Sequence, residues 1–360
     1  MVGYLLLLLV YLSVALVIPV MGLFAWQYLN TRGTAYFGRP QAEREQFKRQ
    51  LARFSRWIVP LVRPLGRRVS TPNRFAFAYA GIYAPANSCS RQTFNVAVHY
   101  KPQANDLFVV TQMKCGTTWM QQIVYEILCR GEGNLGDNGH VHLYAMSSWL
   151  ESFNSVSLAD APLVGAQQQR IIKSHLPASL CPYSEVARYI YVTRHPVSCF
   201  QSCSDFFAAL AGPFTPSADA LLAWYCSDEM WWGSWPDHVA GFWQWAQTRP
   251  NVLFVHFETM KTDLPAVLRT VAAFIGSDLT ESELQRVAEK CSFDYMKTHE
   301  SQFEMIPPNF FSTNESFFKS GSADRHRSVD ITAKAKITSF CRTRLATETY
   351  PLETMYPDLM

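Results

Sequence analysis

The residues best suited to chemistry form the run Lys114-Cys115-Gly116-Thr117-Thr118-Trp119. It combines a cation, a glycine and two hydroxyl side chains, and such groups bind phosphate well when they come just before a helix. Gly116 lets the backbone approach a ligand closely, and Lys114 supplies positive charge. The run lacks the second glycine and the Lys-Ser/Thr order of the common triphosphate-binding loop. By itself it predicts phosphate or nucleotide binding, and a solvated loop lysine is the alternative.

Two later segments place polar side chains at the ends of predicted strands. Residues 170–177 (RIIKSHLP) contain His175, and residues 188–196 (RYIYVTRHP) contain Arg194. Short apolar runs rich in β-branched and aromatic residues indicate strands. A histidine exchanges protons near neutral pH, and an arginine binds phosphate. The alternatives are a buried core histidine and an ordinary salt-bridge partner.

A strand, a tight loop and a helix must position the first run. Residues 106–111 (DLFVVT) indicate a buried strand, and residues 120–129 have helical periodicity. In a parallel α/β sheet, ligands bind at the carboxyl ends of the strands, so we expect the three strand ends to meet there. A helix over 198–207 would bring Ser202 close to Arg194, where the two would hold one phosphate.

The composition excludes several classes of protein. The chain has 360 residues, of which 48% are hydrophobic and 17% charged, so a folded globular protein is expected. A net charge of +3 does not favour nucleic acid as a partner. The nine cysteines are odd in number and form no C-x-x-C, which argues against a disulfide framework or a zinc site. His140 and His142 have no evident third ligand, so no metal is predicted.

The N-terminus predicts a membrane anchor. Residues 1–31 carry no charged side chain, and residues 5–26 are apolar over a length that spans a bilayer. A cleaved signal peptide is the alternative. Basic residues follow, which places the rest of the chain in the cytoplasm. The predicted organisation is an anchor at 1–31, a basic amphipathic segment at 32–74 and one catalytic domain at 75–360.

The basic segment contains a helical apolar stripe. Its members recur every three or four residues and are Phe47, Leu51, Phe54, Ile58, Leu61 and Leu65. Arginines and a lysine lie on the other faces. Two interpretations stay open: a helix packed on the catalytic domain, and a helix lying on anionic lipid headgroups.

Six ordered segments resemble the cytosolic-type sulfotransferases, which transfer a sulfuryl group from 3′-phosphoadenosine 5′-phosphosulfate (PAPS) to small molecules. They are TxxKCGTTW at 111–119, RIIKSHLP at 170–177, YVTRHPVSCFQS at 191–202, GSWPDHVAGFW at 233–243, NVLFVHFETMKTD at 251–263 and a weaker FFKSG at 317–321. The resemblance covers about residues 106–325. It implies a single P-loop-like α/β domain whose central parallel sheet is flanked by helices. The transmembrane helix predicted from the apolar run would precede this domain and is a departure from the soluble members.

The resemblance also implies a role for each matching residue. Lys114, Thr117 and Thr118 would hold the 5′-phosphosulfate, within the cofactor loop that includes Cys115 and Gly116. Arg194 and Ser202 would bind the 3′-phosphate. The remaining cofactor contacts would be Trp119 and Phe293 on adenine, Phe257 where a tyrosine is common, and Lys319 and Gly321 in a further 3′-phosphate segment. The acceptor pocket would include Phe206, Phe207 and Phe214.

The implied chemistry needs a base and a cation. His175 would take the acceptor's proton, and Lys114 would offset the charge that develops on the leaving phosphate of adenosine 3′,5′-bisphosphate (PAP). No metal is required. The acceptor is expected to be a small lipophilic alcohol or an amine, and the oligomeric state stays open. The alternative hypotheses are a nucleotide-dependent phosphotransferase and a non-catalytic, membrane-tethered nucleotide-binding protein.

Overall fold

The computed structural model describes residues 2–32, 34–66, 71–135, 142–304, 307–311, 326–327 and 329–359. Side chains are described from residue 17 onward, except at residues 61, 62 and 64–66 within one helix.

A five-stranded parallel sheet forms the centre of the protein. Its strands, in the spatial order β4-β5-β3-β6-β7, are β4 (Ser148–Trp149), β5 (Arg170–Ser174), β3 (Asp106–Thr111), β6 (Arg188–Thr193) and β7 (Val252–His256). A separate antiparallel hairpin joins β1 (Ala76–Tyr79) to β2 (Ile82–Pro85). Because β5 and β6 both pair with β3, the ends of these three strands lie side by side at one edge of the sheet.

Helices cover both faces of this sheet. In chain order, the α-helices of the described residues are α1 (Val2–Thr31), α2 (Thr34–Phe37), α3 (Gln41–Gly66), α4 (Arg91–Val98), α5 (Thr117–Leu128), α6 (Leu143–Met146), α7 (Pro196–Ala211), α8 (Ala218–Tyr225), α9 (Trp235–Thr248), α10 (Phe257–Thr262), α11 (Leu264–Ile275), α12 (Glu281–Lys290), α13 (Phe293–Thr298), α14 (Ile331–Leu345) and α15 (Leu352–Met355).

Strand β3 shows how the two faces are built. All six of its residues are buried, as is typical of a strand covered on both sides. Phe108 and Val110 face a core shared with α4, α7, α9 and α14. Leu107 and Val109 face a second core shared with α5, α11 and α12. The predicted central parallel sheet with helices on both faces is therefore confirmed.

The N-terminal helices pack on this domain through their own small core. Phe47, Leu51 and Ile58, which belong to the predicted apolar stripe of α3, are buried. They share a cluster with Tyr36, Phe37, Tyr144 and Phe310. The Arg44 guanidinium, from an otherwise polar face, is also buried and donates to the backbone oxygen of Ser301. These contacts match the interpretation of a helix packed on protein.

The C-terminal part of α1 joins the same cluster. The Phe24 ring lies 5.1 Å from that of Phe310, and the Trp26 ring lies 4.9 Å from that of Phe47. Within the part of the chain that the structure describes, no helix has the length and apolar character needed to cross a membrane. The anchor predicted at 1–31 and the single-pass membrane location are therefore not supported, because aromatic residues of the apolar run pack against protein. The domain boundaries at residues 31 and 74 stay predictions.

Candidate active site

The loop between β3 and α5 has the backbone geometry of a phosphate cradle. Lys114 and Gly116 both have positive φ, +67° and +108°. A Cβ added at Gly116 would lie 2.7 Å from Cδ2 of Phe257, so only glycine fits this turn. The loop ends where α5 begins, at Thr117.

The first turn of α5 offers donors to an anion. Backbone N–H groups in this turn have no partner within the helix and carry the positive end of its dipole. The Thr117 and Thr111 hydroxyls are hydrogen-bonded at 2.6 Å, which fixes the helix start to the end of β3. The Thr118 hydroxyl is buried and has no hydrogen-bond partner among the described residues. A buried hydroxyl without a partner is costly, so a ligand phosphate fits this position.

Lys114 extends from the same loop towards α7. Its ammonium lies 4.9 Å from the centre of the Phe206 ring. Burial lowers the pKa of Lys114 to about 8, and the positive charge of Arg194 acts in the same direction. The lysine thus stays largely charged at neutral pH and is poorly hydrated, which strengthens its attraction for an anion.

His175 follows the last residue of β5 and is 2% exposed. Its Nδ1–H donates to the backbone oxygen of Thr111 at 2.8 Å, because a carbonyl can only accept. Burial, and next the charge of Lys173, hold the pKa of His175 well below its usual range. The imidazole is therefore neutral, with its lone pair on Nε2, and a base needs that form.

Arg194 follows the last residue of β6 and is 6% exposed. Its guanidinium carbon lies 4.2 Å from the centre of the Phe257 ring, and Nη1 lies 3.5 Å from the backbone oxygen of Lys114. Ser202, 9% exposed, lies in α7, which begins two residues after Arg194. The guanidinium is thus held next to the phosphate loop.

Aromatic side chains lie beyond the start of α5. Trp119 donates from its indole nitrogen to the backbone oxygen of Cys291 at 2.7 Å, and its ring lies 5.5 Å from that of Phe257. The Lys261 ammonium lies 5.6 Å from the ring centres of both Trp119 and Phe293. Trp119 thus contacts Phe257, and Lys261 lies close to both Trp119 and Phe293, while the contacts of these rings with adenine stay predictions. Lys261 was missed, since one lysine in an amphipathic segment carries no signal of its own.

The three predicted acceptor-pocket residues have different surroundings. Phe206 lies beside Lys114, as described above. Phe207 is 3% exposed and packs against Trp224 and Trp231, with ring centres 5.2 and 5.0 Å away. Phe214, in the 3-10 turn Gly212–Phe214, contacts Phe311 at 4.8 Å. Of these, Phe206 contacts the residues of the phosphate loop.

Not all residues named from the sequence belong to the part of the chain that the structure describes. Lys319 and Gly321 fall outside the described residues, as does His140. His142 is buried, accepts from the backbone N–H of Tyr144 at 3.0 Å and contacts the Phe37 ring at 4.2 Å, which is a helix-capping role. Sequence reasoning also missed Glu151, a fully buried carboxylate that accepts from the backbone N–H of His175 at 2.7 Å.

The family model of the sulfotransferase domain matches residues 104–349, well over half of the chain. The chain belongs to the sulfotransferase family. The match includes the loop at 114–119, both strand ends and every helix from α5 to α14.

Relatives and solved structures agree with this assignment. The sulfotransferase is 30% identical to mouse sulfotransferase 2B1 over 252 residues, which cover 67% of this chain and 71% of the relative. It shares its fold with mouse sulfotransferase SULT7A1 complexed with PAP, with a TM-score of 0.61, 18% identity and coverage of 79% and 98%. It also resembles retinol dehydratase in complex with androsterone and PAP, with a TM-score of 0.56, 20% identity and coverage of 72% and 85%.

The family assignment decides between the three functional hypotheses. A sulfotransferase is an enzyme, so the non-catalytic nucleotide-binding protein is not favoured. Sulfuryl transfer likewise replaces the phosphotransferase hypothesis, which rested on the phosphate loop alone.

Proposed function

We propose that this sulfotransferase moves the sulfuryl group of PAPS to the hydroxyl of a small lipophilic acceptor, with His175 as the base and Lys114 as the cation at the leaving phosphate. The observation that carries the proposal is the 2.8 Å hydrogen bond from His175 Nδ1–H to Thr111. It selects the tautomer whose Nε2 accepts a proton. This neutral form, with a free lone pair on Nε2, is the one that a general base beside the phosphate loop needs.

The donor supplies a sulfuryl group on a 5′-phosphate, with a 3′-phosphate that distinguishes it from common nucleotides. The first turn of α5 and the hydroxyl of Thr118 suit the 5′ side. Arg194 and Ser202 suit the 3′-phosphate, to which an arginine offers several directed N–H groups. The aromatic rings of Trp119 and Phe293 suit adenine, which each would contact by stacking or edge to face.

His175 and Lys114 divide the work of transfer. His175 removes the acceptor's proton as the acceptor oxygen attacks sulfur, and such a base contributes roughly 10²–10⁴-fold. Lys114 offsets the negative charge that grows on the phosphate oxygen as its bond to sulfur breaks. His175 follows β5 and Lys114 follows β3, and because these two strands pair in parallel, both residues lie at the same end of the sheet. PAP is the product that remains after transfer.

The acceptor is proposed from two considerations. Phe206 offers apolar surface beside Lys114 of the loop, and neither Phe206 nor Phe214 is fully buried. Retinol dehydratase has been crystallised with androsterone, a steroid alcohol. A rigid or extended apolar alcohol therefore suits this chain better than a sugar or a peptide.

Radiolabelled PAPS incubated separately with androsterone, retinol, a small phenol and a sugar tests the proposal. We expect label to pass to at least one apolar alcohol, without added metal. Radiolabelled ATP with Mg²⁺ is the parallel control and should label none of them. Transfer from ATP, or transfer from PAPS only to sugars, would contradict the proposal.

A further inference from the structure

Glu151 lies beside the end of β5 without belonging to the sheet. It comes two residues after Trp149, the last residue of β4. The backbone N–H of Leu150 donates to the backbone oxygen of Lys173 at 2.9 Å, which fixes the chain at this point to β5. Glu151 itself is 0% exposed. A carboxylate buried to this degree is rare unless its oxygens are satisfied.

Three donors converge on this carboxylate. Oε1 accepts from the backbone N–H of His175 and from the indole N–H of Trp149, both at 2.7 Å. Oε2 accepts from the hydroxyl of Ser174 at 3.0 Å. An ionised carboxyl group is an acceptor only, so three donors match that form.

Lys173 supplies a buried positive charge nearby. It is 0% exposed, donates from Nζ to the hydroxyl of Tyr144 at 2.8 Å and lies 3.4 Å from the centre of the Trp149 ring. Burial raises the pKa of Glu151, while its hydrogen bonds and the charge of Lys173 act against this rise. Burial lowers the pKa of Lys173 to about 7, and the charge of Glu151 acts against that fall, so the lysine and the carboxylate each favour the charged form of the other.

The carboxylate restrains His175 in two ways. It holds the backbone N–H of His175, while His238 Nε2 donates to the backbone oxygen of His175 at 3.0 Å. It also holds the indole of Trp149, whose ring stands at 90° to the imidazole with centres 5.4 Å apart. One oxygen atom of Glu151 thus fixes both the backbone of His175 and the Trp149 ring that packs against its imidazole.

We propose that Glu151 is a positioning residue that fixes the imidazole of His175 for proton transfer. The inference rests on the proposed role of His175 as base. Glu151 acts only through His175, since its oxygens are occupied by the three donors and it is fully buried. A misplacement of a reacting group by about 1 Å costs on the order of 10²-fold in rate. Loss of Glu151 should therefore lower kcat and leave donor binding intact.

The test compares two buried glutamates. We expect Glu151→Ala to lower kcat by roughly 10²-fold, with the KM for PAPS and the calorimetric affinity for PAP almost unchanged. Glu151→Gln should recover most of the activity, because its amide oxygen can accept from His175 and Trp149 and its amide nitrogen can donate to Ser174. The matched control is Glu126→Ala, which removes a carboxylate that is 1% exposed in α5 and accepts from the backbone N–H of Gly133 at 3.1 Å.

The readout is kcat per PAP-binding site, with the number of sites measured by calorimetry. The proposal is overturned if Glu151→Ala keeps the wild-type kcat per site, if Glu126→Ala lowers it equally, or if Glu151→Gln is as inactive as Glu151→Ala. If Glu151→Ala does not fold, Glu151→Asp decides. It keeps the charge but shortens the side chain, so a wild-type kcat per site would overturn the proposal. Full activity of His175→Ala in the same assays would instead refute the base assignment itself.

Discussion

A histidine follows each of the strands β5 and β6, and the two imidazoles carry their protons on different nitrogen atoms. His175 Nδ1–H donates to the backbone oxygen of Thr111, which leaves the lone pair on Nε2. His195 Nδ1 accepts from the backbone N–H groups of Val197 and Ser198, at 3.2 and 3.4 Å. Its proton is therefore on Nε2, which lies 3.1 Å from Oδ2 of Asp358. Residue type and strand position are similar, so the partner of Nδ1 decides which histidine can act as a base.

The end of β6 combines a helix cap with an arginine that lies beside the phosphate loop. His195 caps the N-terminus of α7 with its ring, and burial lowers its pKa to about 4, so it stays neutral. Its neighbour Arg194 lies against the phosphate loop. In the proposed mechanism, proton transfer belongs to the β5 end and anion binding to the β6 end. Variants at each end should separate these two roles.

The largest effect is expected from exchanging each histidine for asparagine. His175→Asn should lower kcat by roughly 10²–10⁴-fold, because the amide cannot take the acceptor's proton. His195→Asn should keep most of the activity, because asparagine is a good helix N-cap and its oxygen can accept from the same N–H groups. Steady-state kinetics with both variants measure the difference. Equal losses in the two would remove the distinction between the strand ends.

An intermediate effect is expected at Arg194. A charged hydrogen bond contributes about 1.5–3 kcal/mol, so Arg194→Ala should weaken PAP binding by roughly 10–150-fold. Binding of adenosine 5′-monophosphate, which lacks the 3′-phosphate, should weaken far less. Calorimetric titration of both nucleotides measures this, with His175→Asn as the control that should bind both normally. Equal losses for both nucleotides would contradict a contact with the 3′-phosphate.

Local sequence pattern was sufficient for several elements but not for the tautomer of His175. The strands at 106–111, 170–174 and 188–193 and the helix at 117–128 follow from short apolar runs and periodicity. The partner of His175 Nδ1 is 64 residues away in the chain, whereas those of His195 Nδ1 are two and three residues away. No local window around His175 contains its partner, because that pairing depends on how β3 and β5 align in the sheet.

The same limit explains Glu151 and the N-terminus. Glu151 lies just after an edge strand of two residues, where no periodicity marks it as buried. The apolar run of α1 predicts that its side chains have apolar partners, but hydrophobicity does not distinguish lipid from protein as the partner. In the structure, Phe24 packs against Phe310 and Trp26 packs against Phe47. The roles of the individual nucleotide-binding residues stay predictions.

The smallest predicted effect concerns pH and Lys114, which lies in the loop between the two strand ends. Burial lowers its pKa to about 8 in the ligand-free enzyme, with Arg194 acting in the same direction. The protonated lysine binds the anion, so the affinity for PAP should be constant near pH 7 and fall as the pH rises through about 8. Loss of one proton limits the fall to about tenfold per pH unit.

Variants of Lys114 and of the two strand ends test which groups cause this fall in affinity. Lys114→Arg should remove the fall, because arginine stays charged throughout this range. Arg194→Ala should move it to higher pH, since a positive neighbour that disfavours the charged lysine is gone. His175→Asn should move it much less, because the imidazole is neutral in this range. Calorimetry of PAP binding from pH 6.5 to 9.5 measures all four proteins. A wild-type affinity for PAP that does not change across this range would contradict the role of Lys114. An equal shift in the pH of the fall in Arg194→Ala and His175→Asn would contradict the different roles of the two strand ends.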